Sequence, residues 1–117
     1  MKIWKDGDKT GTTPPNHFGG LNVLDIVPFD GNSFAVQVSK APPGGGGELH
    51  HHETWSQVFY VVDGQMTFDT GKERFTLVQG QAVLFEPLDP HYTLNEGEAE
   101  STCMVITIKH EQAGAAS

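Results

Sequence analysis

The chain has 117 residues, a length that holds one domain and one core without needing a disulfide or a metal to fold. Fifteen acidic against seven basic side chains leave a formal charge of −8, which argues against a phosphate-backbone partner and so against nucleic acid. The single cysteine, Cys103, rules out an internal disulfide and any cysteine-based zinc ribbon. It fits a reducing compartment, and no apolar run reaches signal-peptide or membrane-span length, so the chain is read as soluble and cytoplasmic, with no membrane partner.

Taken in order, residues 1–20 are polar and broken by Pro14-Pro15, and read as an N-terminal arm. Residues 21–110 carry the domain. "LNVLDIV", "SFAVQVS", "VFYVVDG", "QMTFDT", "ERFTLV", "QAVLFE", "HYTLN" and "TCMVITIK" are short runs rich in β-branched and aromatic residues, each bounded by turn residues. Asp30-Gly31, Asp63-Gly64, Gly71 and Gly80 supply the positive φ that tight hairpins demand. About eight strands at short intervals, with no helical stretch to serve as a crossover, predict an all-β sandwich or closed barrel. Residues 111–117, small and polar, read as a flexible tail.

Within "QVFYVVD", alternation places Gln57, Phe59 and Val61 on one face and Val58, Tyr60 and Val62 on the other. Both faces are largely apolar, which predicts a strand covered on both sides, by the barrel interior and by a second layer or subunit. Together with the N-terminal arm this predicts a homodimer.

The chemistry concentrates in "GGGGELHHHETW". On a strand, His50 and His52 share a face and His51 points away. Two neighbouring imidazoles make half of a metal site, suited to manganese, iron, nickel or zinc, and His91 after the turn-rich "EPLDP" is the candidate third ligand. His17, in "NHFGG", reads as an exposed loop histidine, the one outside these segments within reach of a site. His110 reads as solvated. Phe59, Val61, Met66, Phe85 and Met104 are candidates for pocket walls or plain core.

These spacings resemble the cupins, small β-barrels of the double-stranded β-helix or jelly-roll type. Gly44, His50, His52 and Gly64 fall on the family's first motif, with Gln57 where its glutamate stands. Gly80, His91 and Asn95 fit the second motif, where Glu86 and Leu88 occupy its proline and glycine positions. The resemblance spans residues 21–109, with fifteen residues, Gln65 to Gln79, between the motifs. It implies a divalent ion on His50, His52 and His91, with Gln57 as fourth ligand or as a hydrogen-bonding neighbour of the ligands. Glu53, on the opposite face, is the other carboxylate to consider. An amide in place of a carboxylate leaves the site more positive, which favours Lewis-acid work over oxidation.

The resemblance therefore implies a metal-dependent enzyme, a lyase, isomerase, cyclase or dioxygenase acting on a small oxygen-bearing molecule. Its rival is a non-catalytic module that binds a small ligand through the same ion, because the fold hosts both uses. No general base is marked by the sequence.

Overall fold

The computed structural model describes residues 1–5 and 11–110, so the tail read over residues 111–117 lies outside the described residues. Among the described residues there are ten strands and no helix: β1 (His17–Phe18), β2 (Asn22–Val27), β3 (Phe34–Ala41), β4 (Gly46–His50), β5 (Trp55–Asp63), β6 (Gln65–Asp69), β7 (Arg74–Val78), β8 (Ala82–Phe85), β9 (His91–Leu94) and β10 (Ser101–Lys109). They form two antiparallel five-stranded sheets, ordered β1-β4-β9-β6-β7 and β2-β3-β10-β5-β8. This is the all-β sandwich that the alternating runs and hairpin glycines predict, in the jelly-roll form that the resemblance implies. Gly31, Gly64, Gly71 and Gly80 all adopt positive φ, as their turns require.

Alternation fixes which face of the second sheet is buried. In β10, Cys103, Val105 and Thr107 point inward, opposite Val61, Phe59 and Gln57 of β5. Across the interior, β6 contributes Met66 and Phe68, and Phe68 packs edge-on to Phe59 with ring centroids 5.4 Å apart. Met104 belongs to the opposite parity and is exposed on the outer face, so it is neither pocket wall nor core. Val61 is fully buried core.

Two strands escape the sequence pattern. β4 opens with two glycines and has no β-branched residue, and β1 is two residues long, so neither carries a β-propensity signal; each exists because its backbone pairs with a neighbour. Part of the segment read as an arm thus joins the sheets, through β1 and a bridge between Thr12 and Val23.

The β4–β9 contact depends on missing side chains. A Cβ on Gly46 would collide with the Thr93 carbonyl, and Gly45, Gly46 and Gly47 are all buried. Beside them Asn95, 1% exposed, saturates its side chain: Nδ2 donates to the carbonyls of Ala41 and Ala99, both at 2.8 Å, and Oδ1 accepts from the Gly97 amide at 2.9 Å. Asn95 therefore fastens the ends of β3 and β9 to the start of β10. Replacing it leaves buried backbone groups without partners, which costs more than the bonds are worth in water. Asn95→Ala is expected to destabilise the fold by about 3 kcal/mol, read as a lowered midpoint in thermal or urea denaturation, whereas Glu98→Ala, exposed in the adjoining turn, serves as the mild control.

Candidate metal centre

His50 closes β4 and His91 opens β9, and the two are direct partners across the ladder. A bulge between Gly47 and His50 rotates the end of β4 so that both rings point into the barrel. His52 does not share a strand with His50: β4 ends at His50, and residues 51 and 52 leave the ladder. The two side chains converge all the same, because the turn into β5 brings His52 back and the Leu88 amide donates to the His52 carbonyl at 2.7 Å. Leu88 makes that bond with φ at +73°, a conformation that glycine adopts without strain and leucine adopts at a cost of roughly 1 kcal/mol. The backbone here thus keeps the shape of the motif's glycine without the glycine.

The outcome is one cluster. Each of His50, His52 and His91 offers a nitrogen, and these atoms all lie within 4.8 Å of one another, a group that can hold a metal ion. His51 is exposed and turned away. Aromatic rings fix the imidazoles: Phe85 stacks on His91 at 4.4 Å and Trp55 lies against His52 at 4.8 Å between centroids.

Hydrogen bonding selects the useful nitrogen. A backbone carbonyl can only accept, so His50 Nδ1, 2.7 Å from the Glu48 carbonyl, carries the hydrogen and leaves the Nε2 lone pair for the site. His91 Nδ1 makes the same bond, longer at 3.4 Å, to the Asp89 carbonyl. Burial, and after it the neighbouring His50, hold the His91 pKa down at about 4. His52 is lowered by the same two causes in the same order, with the Gln57 amide pulling the other way. Both rings are thus kept neutral, the form in which imidazole binds a metal.

Gln57 lies on the inward face of β5, as alternation predicts. Its Nε2 donates to Thr107 Oγ1 at 3.0 Å, while its Oε1 is buried without a partner. Among the described residues, three buried side-chain polar atoms lack partners: Gln57 Oε1, His91 Nε2 and Ser101 Oγ. Two of them belong to this cluster. Buried acceptors are rarely left unsatisfied, and a cation facing both would satisfy them, so the residues present fit a divalent ion.

The cluster opens onto a cavity of about 180 Å³. Phe59, Met66, Leu21, Val23 and Val105 give it apolar walls; Gln37, Ser39, Thr93 and Cys103 add polar points. Burial pushes the Cys103 thiol up to about 11, so it faces the cavity as a neutral thiol and not as a nucleophile. Glu53 and Glu86 are exposed and do not line the cavity. His17, read from sequence as an exposed loop residue, is instead half-buried and lines the cavity, brought there by the β1–β4 pairing. His110 is exposed, and its Nε2 lies 2.6 Å from Ser56 Oγ. No helix among the described residues is long and apolar enough to cross a membrane.

Comparison with known structures places this geometry. The chain superimposes on a predicted oxalate decarboxylase from Thermotoga maritima with a TM-score of 0.83 at 18% identity, covering 92% of this chain and 99% of the other. It is similar to the polyketide cyclase RemF from Streptomyces resistomycificus (TM-score 0.76, 16% identity, 98% and 89% covered). It also resembles the cupin domain of an XRE family transcriptional regulator from Enterobacter cloacae (TM-score 0.68, 21% identity, 79% and 97% covered). At these identities the likeness shows the fold alone. A search of curated proteins finds no match. The cupin domain family model matches residues 37–107, which takes in the glycine run, both histidine segments and most of β10, and the chain belongs to the cupin family.

Proposed function

We propose that this chain is a metal-dependent cupin enzyme of the lyase, isomerase or cyclase kind, holding one divalent ion on His50, His52 and His91 with Gln57 Oε1 facing it. The carrying observation is the pair of buried, partnerless acceptors, His91 Nε2 and Gln57 Oε1, at one histidine cluster. When bound, the ion supplies a Lewis acid that polarises a carbonyl or hydroxyl oxygen of a small molecule. The chain's own part is positional. His50 and His91 keep their hydrogens on Nδ1, toward backbone carbonyls, and the aromatic rings lock the imidazoles in place. The apolar walls exclude water, and a cavity of about 180 Å³ limits the ligand to a small molecule. The neutral amide of Gln57, in place of a carboxylate, favours non-oxidative chemistry. Structural relatives named as a predicted decarboxylase and as a cyclase support this class.

One observation favours the second reading, a non-catalytic ligand-binding module: no Asp, Glu, Lys or Arg lines the cavity. Turnover of a panel of small hydroxy, keto and enol acids by the metal-loaded protein separates the two. Binding without product formation across the panel would favour the module.

The outer face of the second sheet extends the proposal to a second copy of this chain. Cross-strand rows run Leu24, Val38, Met104, Tyr60, Ala82 and then Val36, Ile106, Val58, Leu84, without a charge in either. Five strands of four to nine residues at ~4.8 Å spacing make a face of ~600 Å². Two such faces together bury ~1,200 Å², the lower end of a stable interface. Because the chain carries −8 overall, a face whose two central rows hold no carboxylate, with Lys40 on the next row, is where another copy approaches with least repulsion.

Three outcomes are expected. Elemental analysis of untagged protein should find about one manganese, iron, nickel or zinc per chain, lost in His50→Ala and His91→Ala while the far-ultraviolet spectrum persists; metal-free wild type after reconstitution would overturn the assignment. For the metal-free protein, the unfolded chain protonates His91 below about 6.5, whereas the folded chain does so only near 4. Stability must therefore fall as pH falls through that window, by about 3 kcal/mol from this group. Denaturation curves of wild type against His91→Gln should show that component missing in the variant. Light scattering should give twice the 12.7 kDa chain mass, reduced to one chain by Met104→Glu.

A further inference from the structure

His17 stands outside the close histidine cluster yet beside it, its ring centroid 6.2 Å from that of His50. Three features hold it there. Its Nδ1 lies 2.9 Å from the Pro15 carbonyl, so Nδ1 carries the hydrogen and Nε2 is left as an acceptor in the neutral ring. Asn16, immediately before it, takes a φ of +63° and its carbonyl accepts a hydrogen bond from the Glu48 amide at 2.9 Å, which pins this turn to the middle of the ligand strand. Gly47, its partner across the ladder, leaves the space the ring uses: a Cβ there would stand 2.9 Å from His17 Cδ2 and 3.0 Å from Nε2. Among the described residues Nε2 makes no hydrogen bond, and the residue lines the cavity.

We infer that His17 contacts the ligand itself, its Nε2 accepting a hydrogen bond from a hydroxyl of a small molecule whose other oxygen reaches the ion, so that the cavity selects hydroxylated ligands. This rests on the metal-centre reading and deepens it. The cavity supplies the frame: the histidine cluster holds one oxygen, the Phe59 and Met66 side holds carbon, and His17 addresses a second oxygen. An acceptor on a ring held by backbone at the wall of a cavity recognises a donor, and a hydroxyl is the donor that a small oxygen-bearing molecule carries. The same contact makes His17 a positioning residue, which orients the ligand on the ion and keeps it from rotating.

The test uses Co²⁺-loaded full chain, with glycolate and acetate as probes that differ by one hydroxyl. Cobalt content and the affinity of each probe are measured for wild type, His17→Ala and His17→Gln. Chelation of cobalt by glycolate contributes alike in every protein and cancels in the comparison, so a change in the glycolate-to-acetate ratio reports the contact with residue 17. All three proteins should hold equal cobalt. The ratio should fall about fivefold in His17→Ala, the size of one hydrogen bond, and recover in part in His17→Gln, which restores an acceptor. An unchanged ratio in His17→Ala with cobalt retained overturns the inference alone. Loss of cobalt in His17→Ala also overturns it, by making His17 a ligand. Failure of the wild type to take up cobalt overturns the metal-centre reading, and this inference with it.

Discussion

Between β4 and β9 the backbones run so close that Gly46 has no room for a methyl group against the Thr93 carbonyl, and from that approach the rest of the site follows. It sets the register that places His50 opposite His91. It also leaves the shelf at Gly47 on which the β1 turn rests. Asn95 holds the neighbouring corner by giving its whole side chain to backbone groups. The glycines of β4 and the motif's Asn95 thus serve geometry: the glycines allow contact, the asparagine fastens the corner, and together they carry the histidines that do the chemistry into place.

A cluster of three imidazoles in a partly apolar wall would be self-destructive if the rings were charged, because burial and mutual repulsion both oppose protonation. The fold turns that cost into preparation. Low pKa values and carbonyl-bound Nδ1 atoms present lone pairs at neutral pH, and the cavity next to them carries no formal charge of its own. Among the described residues the carboxylates lie elsewhere, on the surface. A neutral, lone-pair-rich pocket inside an acidic protein is a place where a cation gains more from direct ligation than from long-range attraction.

Much of this was legible in the sequence wherever period and turn chemistry act locally. The alternation in "QVFYVVD" correctly aimed Gln57 and Phe59 inward, and the hairpin glycines marked their turns. Local pattern failed where pairing alone makes the strand. "GGGGELH" has no propensity for a strand, so β4 could be inferred only from its histidines, and His52 was given a strand it does not share. Met104 could not be assigned a face until β10 had neighbours. His17 was further out of reach, since its place depends on a two-residue strand meeting a glycine 30 positions later. The positive φ of Leu88 was equally hidden, because leucine gives no sign of the glycine-like turn it occupies.

β10 is the last of the ten strands in sequence and sits in the middle of the second sheet, paired to β3 on one side and β5 on the other. During synthesis every metal-ligand candidate therefore emerges from the ribosome before the strand that closes the barrel behind it. A nascent chain lacking residues 101–109 exposes two open sheet edges and the apolar side chains of Phe59 and Val61 on β5, the kind of surface that chaperones bind and that aggregates form on. Completion of the sheet and completion of the cavity wall at Cys103 and Val105 are one event, so a metal centre with its cavity intact can exist only once the chain has been made through β10.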